Sequence, residues 1–233
     1  MKKLLALLVA TFIMTSSRSQ VIIALLFGDK LNSDKLEFGL NAGLNLSDLT
    51  NMQSGELKPG LNLALYFNIK ISEKFYIHPE AIPKYPGGVK KMKPYSLNDA
   101  TLDQLFADGE VTRKIRNIAL PVLLRYNVYK LLYAEAGPQI GLRTKANDIF
   151  KSGDLTYDNE VKDQLTRFDF GVAFGISHKL TKDRVSMALG IRYYIGLTDI
   201  DKLEPGSQKN RILQAHLSFP IGAHKEANST EGK

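Results

Sequence analysis

The sequence predicts an all-β protein, an eight-stranded antiparallel up-and-down transmembrane β-barrel with short periplasmic turns and long outer loops. Three observations point there. About eight segments of ten or more residues alternate apolar with polar side chains, the period of a strand with one face in hydrocarbon. No charge falls on any of the eight apolar faces, and the segments are long enough to cross a bilayer at a tilt. The connections alternate strictly between short and long, as they do when turns lie on one side of a membrane and loops on the other.

The clearest segment runs from Leu132 to Arg143. Leu132, Ala134, Ala136, Pro138, Ile140 and Leu142 form one face, and Tyr133, Glu135, Gly137, Gln139, Gly141 and Arg143 the other. Taken in order, the eight segments are Glu37 to Leu46, Gly60 to Lys70, Phe75 to Tyr85, Asn117 to Val128, Leu132 to Arg143, Arg167 to Ser177, Val185 to Thr198 and Ile212 to Ile221. The short links are 71–74, 129–130 and 178–184. The long ones are 47–58, 86–116, 144–166 and 199–211. An even strand count leaves both termini in the periplasm. Aromatic girdles are expected at Phe38, Phe67, Phe75, Tyr126, Phe174 and Phe219 below and at Tyr85, Phe168 and Tyr193 above. Pro79, Pro83, Pro121 and Pro138 fall inside neighbouring segments and predict a bulged patch of wall.

The main soluble alternative is a lipocalin-like calyx with its apolar face turned inward. Glycine placement argues against it. Gly39, Gly43, Gly137, Gly141, Gly171, Gly175, Gly190 and Gly196 all sit on the polar face, and small residues belong inside a narrow barrel.

Composition sets further bounds. At 233 residues, with 44% hydrophobic and 24% charged content, the chain has room for one barrel, and nothing in its overall balance betrays a membrane protein. The net charge of +7 is mild and dispersed, which does not suggest a nucleic-acid partner. With no cysteine, disulfides and thiolate metal sites are excluded. Met1 to Lys3, the apolar Leu4 to Met14 and the small residues Ser17 and Ser19 read as an export signal over 1–19. A periplasmic segment at 20–36, the barrel at 37–222 and a polar tail at 223–233 complete the division. Val21 to Phe27 is a second apolar stretch whose fate after cleavage the pattern leaves open.

The polar faces carry Glu37, Lys70, Glu80, Lys84, Arg125, Glu135, Arg143, Asp169 and Arg192, enough charge to fill an eight-stranded bore with ion pairs. Tight-turn registers set Asp169 opposite Arg192 as the clearest buried pair. They also set Tyr66 opposite Glu80, and Arg125 opposite Tyr133 and diagonal to Glu135. A lipid-modifying barrel enzyme would need a serine beside His78 or His216, for which Ser186 and Ser218 are the nearby candidates. No motif joins them, so no catalytic residue is assigned.

In the longest loop, 96–99 reads as a capping box opening a short amphipathic helix stopped by Gly109. Lys90, Lys91, Lys93, Arg113, Lys114 and Arg116 flank it and form a basic rim, which the pattern fits equally to lipopolysaccharide phosphates or to plain solvation. The acids Asp148, Asp154, Asp158, Glu160 and Asp163 lack calcium-loop spacing and read as solvated loop charges.

Several of these segments together resemble the PorT-like outer-membrane barrels of Bacteroidetes. They are Gly-Leu-Asn-Ala-Gly-Leu-Asn-Leu-Ser (39–47), His-Pro-Glu (78–80), Ile-Ala-Leu-Pro-Val-Leu-Leu-Arg-Tyr (118–126), Tyr-Ala-Glu-Ala-Gly-Pro-Gln-Ile-Gly (133–141) and Arg-Tyr-Tyr-Ile-Gly-Leu-Thr-Asp-Ile (192–200), with Lys-Asn-Arg at 209–211. The resemblance implies an eight-stranded barrel and no assigned activity for most relatives. Ala119, Pro83 and the tail depart from it.

The expectation is a monomeric outer-membrane barrel with a plugged or narrow lumen and no cofactor, metal or catalysis. Its partners are outer-membrane lipids, with lipopolysaccharide and envelope proteins as candidates, and its role is structural, adhesive or accessory to envelope assembly. A small pore, a lipid-modifying enzyme and a soluble calyx are the alternatives.

Overall fold

The computed structural model describes residues 33, 35–52, 54–182, 186–201 and 208–221. The expected signal peptide, nearly all of the 20–36 segment and the polar tail lie outside them. The described residues form nine strands: β1 (Leu36–Leu49), β2 (Glu56–Lys70), β3 (Phe75–Met92), β4 (Glu110–Tyr129), β5 (Leu132–Ser152), β6 (Leu155–Glu160), β7 (Phe168–Lys179), β8 (Ala188–Gly196) and β9 (Asn210–Pro220). One helix, α1 (Ala100–Phe106), lies between β3 and β4.

Eight of the strands close a ring in the order β1, β2, β3, β4, β5, β7, β8, β9, with β9 pairing back onto β1 and every pairing antiparallel. Closure leaves no free edge in the lower wall, and higher up β2 and β3 form no ladder pairs between Leu57 and Leu65. The start of β1 and the end of β9 lie together at the end that carries the links 71–74 and 130–131.

The faces are disposed as alternation requires. Leu63, Val172 and Leu189 are 52%, 40% and 57% exposed on the outer wall, while Asn41, His78, Arg192 and Gln214 are buried within. A calyx needs the reverse. The inward glycines make room for large polar neighbours. A Cβ on Gly39 would stand 2.4 Å from the Tyr66 ring, and one on Gly190 would stand 2.5 Å from the His216 ring.

The strands outrun the sequence-based boundaries, and with physical consequence. β4 and β5 have 20 and 21 residues, roughly 65 Å of chain at about 3.3 Å per residue, against an apolar belt about 25 Å tall. Much of the expected outer loops is therefore strand. Up β4, the outward side chains run Leu124, Val122, Leu120, Ile118 and then Arg116 and Lys114, so the lipid belt ends between Ile118 and Arg116. Above that height β5 exchanges partners. Its lower part pairs with β7 up to Leu142, and its upper part pairs with β6 from Asn147 in a hairpin that turns at Gly153, where φ is 55°.

The projecting part is a cap with its own apolar core. Val89, Val111, Ile115, Phe150 and Ile200 are buried there together with Phe106 from α1, whose ring meets Phe150 at 5.9 Å and Tyr157 at 6.3 Å. The helix thus packs through Phe106 onto the inner side of the cap. It begins three residues later than the capping box implied. Asp99 is the N-cap and accepts from the Thr101 and Leu102 amides, while Ser96 donates to Asp103. Asp103 also accepts from the Leu97 amide, and these two hydrogen bonds hold its carboxyl below the usual range.

Two bulges mark the top of the belt. The β3–β4 register shifts between Ile82 and Tyr85, leaving Pro83 and Lys84 both facing out, and the β4–β5 register shifts between Arg116 and Asn117 opposite the extra residue Thr144. Strict alternation had put Lys84 in the lumen and Tyr85 in the upper girdle. The bulge at Pro83 reverses both, and Tyr85 points inward, 2% exposed. Of the four prolines only Pro83 sits at a register shift. Pro79 pairs with Val122 in the normal register, and the register across Pro121 and Pro138 is unchanged. In the girdle, Phe38 meets Phe67 at 5.0 Å and Phe75 meets Tyr126 at 4.8 Å. Phe174 and Tyr193, expected at opposite interfaces, are cross-strand partners at one height, with ring centres 5.8 Å apart.

Candidate functional site

The lower half of the bore is filled by one ionic network. Arg192, on β8, reaches across to β3, which lies diametrically opposite in the ring. It donates from Nη1 and Nη2 to the two Glu80 oxygens at 3.0 and 2.7 Å and from Nε to Glu135 Oε1 at 2.8 Å. Arg125 donates to the other Glu135 oxygen at 3.1 and 2.8 Å and to Asn68 Oδ1 at 3.1 Å. His78 stands between Asn68 and Glu80, its ring nitrogens 2.5 and 2.6 Å from their oxygens, and Asn41 donates to Glu80 at 2.9 Å. The Arg192, Glu80 and Glu135 side chains are at most 1% exposed. Two guanidiniums and two carboxylates, each multiply hydrogen-bonded, satisfy one another where a lone charge would be very costly.

This differs from the expected pairing. Arg192 does not meet Asp169, which instead accepts from Asn210 at 2.8 Å. The β7–β8 link turns between Leu180 and Met187, so Gly175, not Asp169, faces Arg192. The error is six positions, an even number, and an even slip leaves every side chain on its correct face. The same degeneracy affected Arg125, which stands directly opposite Glu135 while its guanidinium lies 5.9 Å from the Tyr133 ring centre. Tyr66 is opposite Glu80 as the tight 71–74 turn requires, and its hydroxyl donates to Glu37 at 3.2 Å.

Neither Ser186 nor Ser218 is hydrogen-bonded to His78 or His216 among the described residues, and Ser218 Oγ has no partner there. His78 is committed to Asn68 and Glu80, His216 has neither ring nitrogen hydrogen-bonded to a described residue, and Ser186 is engaged by Thr181 and the Met187 carbonyl. Among the described residues, no three His, Cys, Asp or Glu side chains converge as a metal site.

The expected basic rim divides. Arg113 points into the cap and forms a bidentate pair with Asp148 at 2.8 and 3.0 Å, with Asp201 at 3.4 Å. Burial opposes that charge, but the Asp148 bond and charge outweigh it and hold the guanidinium pKa above its ordinary value. Asp148, read as a solvated loop acid, is fully buried and also accepts from Tyr95 at 2.7 Å. Lys91 pairs with Glu56 at 2.7 Å on the surface. Lys90 is half-buried and Lys93 exposed, while Lys114 and Arg116 face out from β4 just above the lipid belt. There they line a groove with Lys58, Lys84 and Lys145, three cations the rim did not include. The signal for Lys84 and Lys145 was a polar residue placed where alternation changes phase, which only a bulge reveals.

A family model described as an outer membrane protein beta-barrel domain matches residues 27–202. The chain belongs to this family. With the closed eight-stranded ring and its apolar exterior, membership places the protein in the bacterial outer membrane. Solved structures similar to it include Neisserial surface protein A, at 11% identity and TM-score 0.42, covering 80% of this chain and 97% of that one. The attachment invasion locus protein Ail of Yersinia pestis aligns at 8% identity and TM-score 0.41, covering 81% and 100%. OprG of Pseudomonas aeruginosa aligns at 12% and 0.40, covering 81% and 96%. No curated protein sequence matches the chain.

Proposed function

We propose that this outer-membrane barrel is a closed, non-conducting and non-catalytic wall protein, whose role is structural, adhesive or accessory to envelope assembly and is exerted through its cap. The observation that carries this reading is the Arg192 crossbar. A guanidinium reaching from β8 to Glu80 on the opposite strand, and held from the side by Glu135, leaves little bore for solute. Kinship with the PorT-like barrels is part of the same reading and rests on the segments at 118–126, 133–141 and 192–200. The deciding experiment is planar-bilayer recording of the refolded protein, in which no discrete conductance is expected. Steady single-channel steps, or an altered lipid A mass in cells that make the protein, would overturn the reading.

A further inference from the structure

We propose that the outer wall binds the phosphate groups of an outer-leaflet glycolipid in a basic groove between β2, β3, β4 and β5. Five cations line the groove, namely Lys58, Lys84, Lys114, Arg116 and Lys145, with Asp158 the lone acid, in a volume of about 490 Å³. Asp158 is already engaged by the Asn147 amide at 2.6 Å. Among the described residues, none of the five cations is in an ion pair, although Arg113 and Lys91 nearby have both found carboxylates.

The wall is shaped to expose them. β2 and β3 form ladder pairs at Leu57 and again at Leu65, but none is formed between, where Pro83 and Pro86 interrupt the opposite strand. The two bulges lie at the same height and turn Lys84 and Lys145 outward beside Arg116. Lys58 is partly enclosed at this break. Its burial and the neighbouring charges of Lys114, Lys90 and Lys84 depress its pKa to about 8. Like charges held this close favour an anion among them.

Height selects the anion's source. Leu61, on the groove's own lining, and Ile118, below Arg116 on β4, are 58% and 37% exposed. A ligand seated here with acyl chains along that belt and phosphates at the lysines satisfies both surfaces, which free phosphate does not. Arg116 offers the planar bidentate donor and the lysines the point charges that phosphate recognition uses.

The test is native mass spectrometry of refolded protein with phosphorylated lipid A, chemically dephosphorylated lipid A, phosphatidylglycerol and inorganic phosphate. The expected result is retention of phosphorylated lipid A over the other three. Retention should fall about a hundredfold in the triple variant Lys84→Gln, Lys114→Gln, Arg116→Gln, since each basic residue near a charged lipid surface contributes about fivefold. Lys93→Gln, outside the groove, should bind as wild type. If the triple variant fails to show the heat-dependent gel shift expected of a folded barrel, Arg116→Gln alone serves, together with loss of wild-type binding in high salt. Equal binding of dephosphorylated lipid A or phosphatidylglycerol, saturation by inorganic phosphate, or undiminished binding in the variants would overturn the proposal.

Discussion

Below Asn117 the barrel keeps charge inside and hydrocarbon outside. Above it, the same β4 and β5 enclose Val111, Ile115 and Phe150 and present Lys114, Asn147 and Lys151 to solvent. One pair of strands thus obeys two opposite polarity rules, because what lies outside changes from lipid to water at Arg116. Burying apolar surface drives the cap as it does any soluble core. In the membrane that drive is absent, and a satisfied polar interior is what the bore demands. The two halves should therefore fail differently.

The largest expected effect is from Arg192→Leu, which takes the guanidinium from both Glu80 oxygens and leaves Glu135 with Arg125 alone. A loss of about 4 kcal/mol in urea unfolding from lipid vesicles is expected, within the range for breaking a buried pair. Adding Glu80→Gln should recover part of it, and a change near zero would break the account of the bore. Next is Phe150→Ala, expected to cost the cap about 3 kcal/mol by leaving a cavity among Phe106, Tyr95 and Tyr157. It should open the 93–109 connection to protease while the barrel keeps its heat-dependent gel shift. Simultaneous loss of both would show that cap and barrel are a single cooperative unit. Gly190→Val forces a side chain onto the His216 ring and should cost about 2 kcal/mol, read in the same unfolding assay. Asp99→Ala removes the α1 cap and should cost about 1 kcal/mol, seen as faster amide exchange at Thr101 and Leu102. Glu56→Gln, which breaks only an exposed pair with Lys91, should leave the unfolding midpoint unchanged.

Which side of the wall each spanning residue faces was legible in the sequence, since lipid admits no charge and the period of two writes that exclusion into the chain. Where each residue stands along the bore was much less so. Tyr66 and Glu80 were placed opposite one another because a four-residue turn fixes their register. Asp169 and Arg192 were misplaced because the longer 181–186 turn allows several even slips, all with the same faces. The cap is hidden in the sequence for a different reason. Its strands continue past two bulges, and Arg113 with Asp148 looked like loop charge once alternation lost phase at Thr144. The groove cations Lys58, Lys84 and Lys145 are no more legible, for they become neighbours only through the gap between β2 and β3 and the bulge at Thr144.

Thr144 has one more implication, concerning length. It is an extra residue in β5 with no counterpart in β4, since Arg116 faces Lys145 and Asn117 faces Arg143. Removing it would restore even pairing without turning any other side chain over, whereas removing a residue from the lower wall of β5 would send Glu135 toward the acyl chains. Single-codon deletions should therefore be tolerated at the height of this bulge and rejected a few residues below it.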